Sequence, residues 1–293
     1  MATKGAWIKT ALKVICSVGL VLFLVFRMDF SKLSDLSWTV CLPCALCLGI
    51  TLLALLVMSF RWKILVAQYL KIEVPVRRLY RYYLTGSFFN IFLPGAIGGD
   101  VIRTQRLVIR EGATLKGATA ITVAERAAGV YGLGLLLAVS LAAGNFPERF
   151  TLLHDMPRWV LWMSPACVLA FVPLLKWALD KYSFPTSYGF IFQTVGVLLV
   201  SQMGDVTIAW VFSRYFGLPL PYTAFVFIMP LVYVATVLPV SLGGLGVREG
   251  TFAGLMTLYG TDVTVAIAIS FLMYLVKVGA GIVGFFVYLK DNR

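Results

Sequence analysis

The chain has 293 residues, 60 % of them apolar and 13 % charged, with a mean hydropathy of +0.90. That charged share is about half the share in a soluble domain, and at about 20 apolar residues per bilayer crossing the length is used up by a handful of spanning helices, which excludes a separate soluble catalytic domain. The 25 Lys and Arg against 13 Asp and Glu leave a formal charge of +12, an excess that in a membrane protein points to topology and anionic lipid and not to nucleic acid.

The first apolar run, residues 14–26, follows Lys4, Lys9 and Lys13 and precedes Arg27, Asp29 and Lys32. No small-x-small cleavage site follows it, so it reads as an uncleaved first helix. Residues 39–60 form a second span bracketed by Trp38 and Trp62, rings that settle at headgroup level. Cys41, Cys44 and Cys47 on this span lack a second ligand cluster, Cys16 and Cys167 also sit in apolar runs, and the lone His154 lies in a distant polar loop. Neither a metal site nor a cofactor is expected. Further spans are predicted at 114–144, 159–177, 187–212 and 262–289, making six.

Two apolar stretches are interrupted by Pro and Gly: 82–110, broken at 93–99, and 222–259, broken at 238–246. Each reads as a half-helix, an irregular turn and a second half-helix, which membrane depth tolerates only beside protein or a water-filled cavity. The fold predicted is therefore an all-α polytopic membrane protein with about six transmembrane helices and two re-entrant broken-helix hairpins. If the first residue lies in the cytoplasm, 17 of the 25 basic residues fall inside, among them Arg61, Arg77, Arg78, Arg81, Arg103, Arg106 and Arg110. The positive-inside rule favours this orientation, with both termini cytoplasmic.

The two interruptions match. Leu93-Pro94-Gly95-Ala96-Ile97-Gly98-Gly99-Asp100-Val101-Ile102-Arg103 aligns without a gap to Leu238-Pro239-Val240-Ser241-Leu242-Gly243-Gly244-Leu245-Gly246-Val247-Arg248, at an offset of 145. Three spans separate the motifs, so the hairpins enter from opposite faces and residues 1–144 and 145–293 form an inverted repeat, a plan that places substrate between paired broken helices. Close helix packing by small residues explains the glycines as well, but it does not need the trailing Arg. Pro ends the first half-helix, Gly-Gly permits a sharp turn, and the next half-helix begins with free N–H groups that attract anions. Arg103 and Arg248 then read as two phosphate clamps. Arg103 has an equal alternative, joining Arg106 and Arg110 as an anchor to lipid headgroups.

Other charges lie at membrane depth. Glu125 and Arg126, Asp205, Glu249 and Lys277 each interrupt an apolar segment, where a charge costs about 2.5 to 3.5 kcal/mol on insertion scales and normally faces a cavity or a partner. Asp205 and Lys277 are candidates for a structural ion pair or, with Glu125 and Glu249, for proton coupling. Arg77, Arg78, Tyr80, Arg81, Tyr82 and Tyr83 make a basic aromatic stretch at the mouth of the first hairpin, suited to anionic headgroups or to interface anchoring. Asn90 adds a neutral hydrogen-bonding partner. The candidate substrate-binding set is Asn90, Gly98, Gly99, Arg103, Glu125, Arg126, Gly243, Gly244, Arg248 and Glu249.

The runs from Asn90 to Arg103, the pair Glu125-Arg126 and the segment from Leu238 to Gly250 resemble the lysylphosphatidylglycerol synthase transmembrane-region family. The resemblance covers essentially the whole chain. It implies a bacterial or archaeal multi-pass protein of the plasma (inner) membrane that moves a lipid between leaflets, like the flippase half of the multiple peptide resistance factor. No aminoacyltransferase portion accompanies it, so lipid aminoacylation does not carry over. The expected function is translocation of an anionic phospholipid or polyprenyl-phosphate-linked lipid. The rivals are transport of a small soluble anion, a non-transporting role in a membrane assembly, and an intramembrane enzyme on lipid phosphates. The last lacks an Asp-rich motif and a usable His, and no Gly-x4-Gly-Lys-Ser/Thr motif signals ATP use.

Overall fold

The computed structural model describes residues 38–92, 98–144, 146–181, 187–237 and 246–291. The expected first span at 14–26, Gly243 and Gly244, and the motif centres 93–97 and 238–245 lie outside them. Among the described residues the chain is helical, with no strand. A 3-10 turn at Trp38–Val40 leads into α1 (Cys41–Leu70), followed by α2 (Val76–Phe92), α3 (Gly98–Glu111) and α4 (Leu115–Ala142). The short α5 (Thr151–His154), α6 (Arg158–Ala170) and α7 (Val172–Lys181) lead to α8 (Tyr188–Tyr215), α9 (Tyr222–Val237), α10 (Val247–Leu258) and α11 (Val263–Asp291).

Four of these, α1 with its leading turn, α4, α8 and α11, are long and apolar enough to cross a membrane. At about 1.5 Å rise per residue, 28 or more residues span over 40 Å, beyond the roughly 30 Å hydrocarbon core. Their starts follow local chemistry. Thr114 caps α4 by accepting from the Gly117 N–H at 3.2 Å, and Ser187 caps α8 by accepting from the Phe190 N–H at 3.1 Å. Lys71, with φ 58°, closes α1 in the left-handed region.

One expected span differs. Residues 159–177 form two helices, α6 and α7, that part at Phe171, because Pro173 in the first turn of α7 has no N–H to continue the ladder. The apolar part, Arg158–Leu174, is shorter than the four long helices.

The helices recur in order. α1, α2, α3 and α4 are followed by α8, α9, α10 and α11 at close to the offset of 145 that separates the two motifs. Packing recurs as well: α2 packs on α11 as α9 packs on α4, α1 on α2 as α8 on α9, α2 on α3 as α9 on α10, and α3 on α4 as α10 on α11. α1 packs on α8, its own counterpart. The apolar core has two large clusters, the second of which also takes in Cys47 of α1. One centres on Trp62, Leu79, Tyr82, Leu107 and Ile121, the other on Phe212, Phe225, Ile228, Phe252, Met256 and Ile269.

The α2–α11 contact is a close backbone approach. A Cβ on Gly284 would strike the Leu84 carbonyl, so only Gly lets α11 lie this near to α2. More than half of the apolar window of α11 is buried, whereas almost none of that of α1 is. α11 is thus central and α1 peripheral, with Trp38, Leu42, Leu46 and Leu53 exposed. In lipid such exposure carries no hydrophobic cost.

Candidate functional site

Two clusters of charge lie inside the bundle, one in each half. The first is built on Glu125 of α4, which is 5 % exposed. Its Oε1 accepts from Arg61 Nη2 of α1 at 2.6 Å and from the Tyr83 hydroxyl of α2, and its Oε2 accepts from Arg103 Nη2 of α3 at 2.9 Å. Arg103 also donates to Asp100 Oδ1 at 2.6 Å, and Asp100 Oδ2 accepts from Arg126 Nε at 2.5 Å. The Arg103 guanidinium lies over the rings of Tyr83 at 4.2 Å and Trp62 at 4.9 Å.

Among the described residues, three arginines face two carboxylates here. The network also holds donors in surplus: Arg61 Nε and Nη1, Arg103 Nη1 and Trp62 Nε1 are buried without a hydrogen-bond partner. Each is a donor, so the group that would satisfy them is an acceptor. Buried unpaired donors are costly and need a reason.

The second cluster draws on the corresponding helices. Lys277 of α11 donates from Nζ to the Tyr233 hydroxyl of α9 at 3.1 Å, and Asp205 of α8 lies beside the same phenol. Arg248 of α10 pairs with Glu249, lies 5.3 Å from the Tyr274 ring of α11, and interacts electrostatically with Lys277. Its Nε is buried without a partner. The two clusters share a layout with some signs exchanged: α1 gives Arg and α8 gives Asp, α4 gives Glu and α11 gives Lys, while α3 and α10 both give Arg.

The sequence candidates therefore fall as follows. Arg103 and Glu125 meet directly. Arg126 touches the cluster through Asp100, with about half of its side chain exposed. Asp205 and Lys277 share one cluster without a direct ion pair; the Tyr233 hydroxyl accepts from Lys277 and lies beside Asp205. Gly98 and Gly99 begin α3 and are buried. The Gly99 N–H, expected to be free for an anion, donates to Asn90 Oδ1 at 2.7 Å. Likewise the Gly246 N–H at the start of α10 donates to Glu249 Oε2 at 2.6 Å. Asn90 and Glu249 thus cap the starts of α3 and α10.

Arg103 turns inward rather than anchoring at the surface, being 6 % exposed. Arg61, grouped from its sequence position with the cytoplasmic basic residues, is 1 % exposed and bonded to Glu125. Arg61, Trp62, Tyr83, Asp100, Tyr233 and Tyr274 are the members that sequence reasoning missed. A charge directly after an apolar run looks like a span boundary, and only the helix continuing to Leu70 reveals otherwise.

No curated protein matches the chain. A family model described as the lysylphosphatidylglycerol synthase TM region matches residues 10–284.

Proposed function

Because the chain belongs to the lysylphosphatidylglycerol synthase TM region family, a lipid-related family of multi-pass membrane proteins, we propose that it is a lipid translocase for phosphate-bearing anionic lipids and not an enzyme. The observation that carries this reading is the recurrence of one layout: in each half, the Arg that closes the Gly-Gly motif sits among charges from three corresponding helices and a tyrosine hydroxyl from the fourth. On this reading α2–α3 and α9–α10 are re-entrant hairpins of an inverted repeat, entering from opposite faces of a plasma membrane with both termini in the cytoplasm.

The barrier to flipping is the lost hydration of an ionised headgroup. A naked Arg in hydrocarbon would meet the same penalty, so an empty site needs its own counter-ion. Glu125 and Asp100 serve that purpose for Arg103, as Glu249 does for Arg248. Translocation is then an exchange of acceptors. The phosphate takes up the unpartnered donors of Arg61, Arg103 and Trp62, loosens Arg103 from its carboxylates, and passes toward Arg248. The guanidiniums stay paired at each stage, so the bare charge never enters lipid. An inside-negative potential favours outward movement of one negative charge by about 2.3 kcal/mol per 100 mV, which needs no nucleotide.

The test is a flip assay in liposomes with fluorescent phosphatidylglycerol and phosphatidylcholine analogues, read by dithionite quenching. The anionic analogue should flip faster in the presence of the protein. Arg103→Gln and Arg248→Gln should each slow it at least tenfold, the loss expected when a charge-assisted bond to phosphate worth about 1.5 to 3 kcal/mol is removed. A folded double variant that flips at the wild-type rate overturns the proposal.

A further inference from the structure

A further basic site lies where α2 begins and where α3 and α11 end. A cavity of about 420 Å³ is lined by Arg78, Arg81, Tyr82, Arg110, Glu111 and Asp291. Three arginines converge on the one residue Asp291. Its Oδ1 accepts from Arg81 Nη1 at 3.2 Å, its Oδ2 from Arg106 Nη1 at 3.0 Å, and its backbone carbonyl from Arg110 Nη2 at 2.9 Å. Glu111 is held separately, by Arg78 at 2.8 Å and by the Tyr82 hydroxyl at 2.6 Å.

Three oxygens of one residue, each taken by a different guanidinium, reproduce the demand of a phosphate group, which offers three oxygens in a compact anionic unit. Among the described residues, four arginines gather there with two carboxylates. Arg106 is positioned by more than its ion pair, since its guanidinium lies between the Tyr82 ring at 5.7 Å and the Tyr288 ring at 5.5 Å. Its side chain is only 9 % exposed, whereas those of Arg81 and Arg78 are 38 % and 51 % exposed and open the cavity to the outside. The cavity is far larger than one carboxylate requires.

We propose that this cavity binds a phosphate ester, and that Asp291 is a built-in occupant which the ligand displaces. Because Asp291 ends α11 while its three partners belong to α2 and α3, displacement releases the end of α11 from the first hairpin. The same chemistry is supplied by a lipid headgroup or by a free phosphate ester. The site is separate from the Glu125 cluster, and its binding does not depend on any lipid being flipped.

The experiment uses the full chain in two settings. In detergent, glycerol 3-phosphate is titrated by calorimetry; in nanodiscs of phosphatidylglycerol or of phosphatidylcholine, hydrogen exchange is followed over the last turns of α11. Asp291→Asn, which removes the competing charge, should tighten glycerol 3-phosphate binding about tenfold, and Arg81→Gln with Arg110→Gln should weaken it by a similar factor. Saturable binding of the ester assigns the site to free phosphate esters. Faster exchange at the end of α11 in phosphatidylglycerol than in phosphatidylcholine, reversed by Arg81→Gln, assigns it to headgroups. Absence of both signals overturns the proposal, as does, where the wild type binds the ester, an Asp291→Asn protein that binds it no better. Neither readout requires transport, so a failed flip assay leaves this result standing and the reverse also holds.

Discussion

Replacing Glu125 by Gln keeps the shape of the side chain and removes the one charge that holds two buried arginines. In the native protein that carboxylate bonds Arg61 at 2.6 Å and Arg103 at 2.9 Å. After the substitution Arg103 keeps Asp100, while Arg61, 1 % exposed, keeps no anion at all. Breaking a buried pair by removing one partner costs about 3 to 5 kcal/mol. Each kcal/mol lowers the midpoint of a domain somewhat smaller than this by about 2–4 °C, so the expected fall is on the order of 10 °C. The assay is a thermal melt in detergent followed by intrinsic fluorescence, to which Trp62, in the cluster itself, contributes. Glu148→Gln, at an exposed position, is the control and should move the midpoint little. The double variant Arg61→Met, Glu125→Met should recover much of the loss, since neither charge is then stranded. A Glu125→Gln midpoint within 2 °C of the control would refute the reasoning, because the carboxylate would then not be the counter-ion of Arg61.

Other positions give further expectations. A Cβ on Gly99 would meet the Gly86 carbonyl at 2.5 Å and Asn90 Nδ2 at 2.6 Å, so Gly99→Ala should cost about 1–3 kcal/mol and slow flipping, whereas Gly49→Ala, with nothing near its Cβ, should change neither melt nor rate. Asn90→Ala removes the acceptor at the start of α3 and should cost about 0.5–2 kcal/mol in the same melt. Lys277→Met should strand Asp205 and destabilise the second half, and adding Asp205→Asn should restore stability; a double variant no better than Lys277→Met alone would show that the two are not electrostatically coupled.

Hydropathy and the Leu-Pro to Arg motif made the long helices and their order legible, because an apolar run of sufficient length has few other uses and Pro with Gly-Gly punctuates a helix whatever surrounds it. The limits of that signal appear at Arg61 and Trp62. They look like the end of a span, yet α1 continues to Leu70 because these two side chains are buried against α2, α3 and α4. Phe171 shows the opposite case, where an unbroken apolar run hides a helix end set by the following Pro173. Within the site, Glu125, Arg248 and Lys277 were visible as charges in apolar surroundings, and Arg103 as the residue that closes the first Gly-Gly motif. Tyr83 and Tyr233 were not, since a tyrosine in a membrane helix is unremarkable until its hydroxyl is seen on a carboxylate or a lysine. Nor could spacing show that Asn90 reaches across the break to cap Gly99.

The crossed packing of the halves has a mechanical consequence. α2 brings Tyr83 to the first cluster but leans on α11, which carries Lys277 and Tyr274 of the second; α9 brings Tyr233 to the second but leans on α4, which carries Glu125 of the first. The two halves are cross-braced, each arm resting on the other's strut. On the proposed function a displacement of α2 or α9 would reach the charges at the far site, and linkage would then require binding at either site to bias the other equally. If α2–α3 and α9–α10 are the hairpins of the proposed translocase, the two mouths would work as one see-saw, since tilting one arm would load the other.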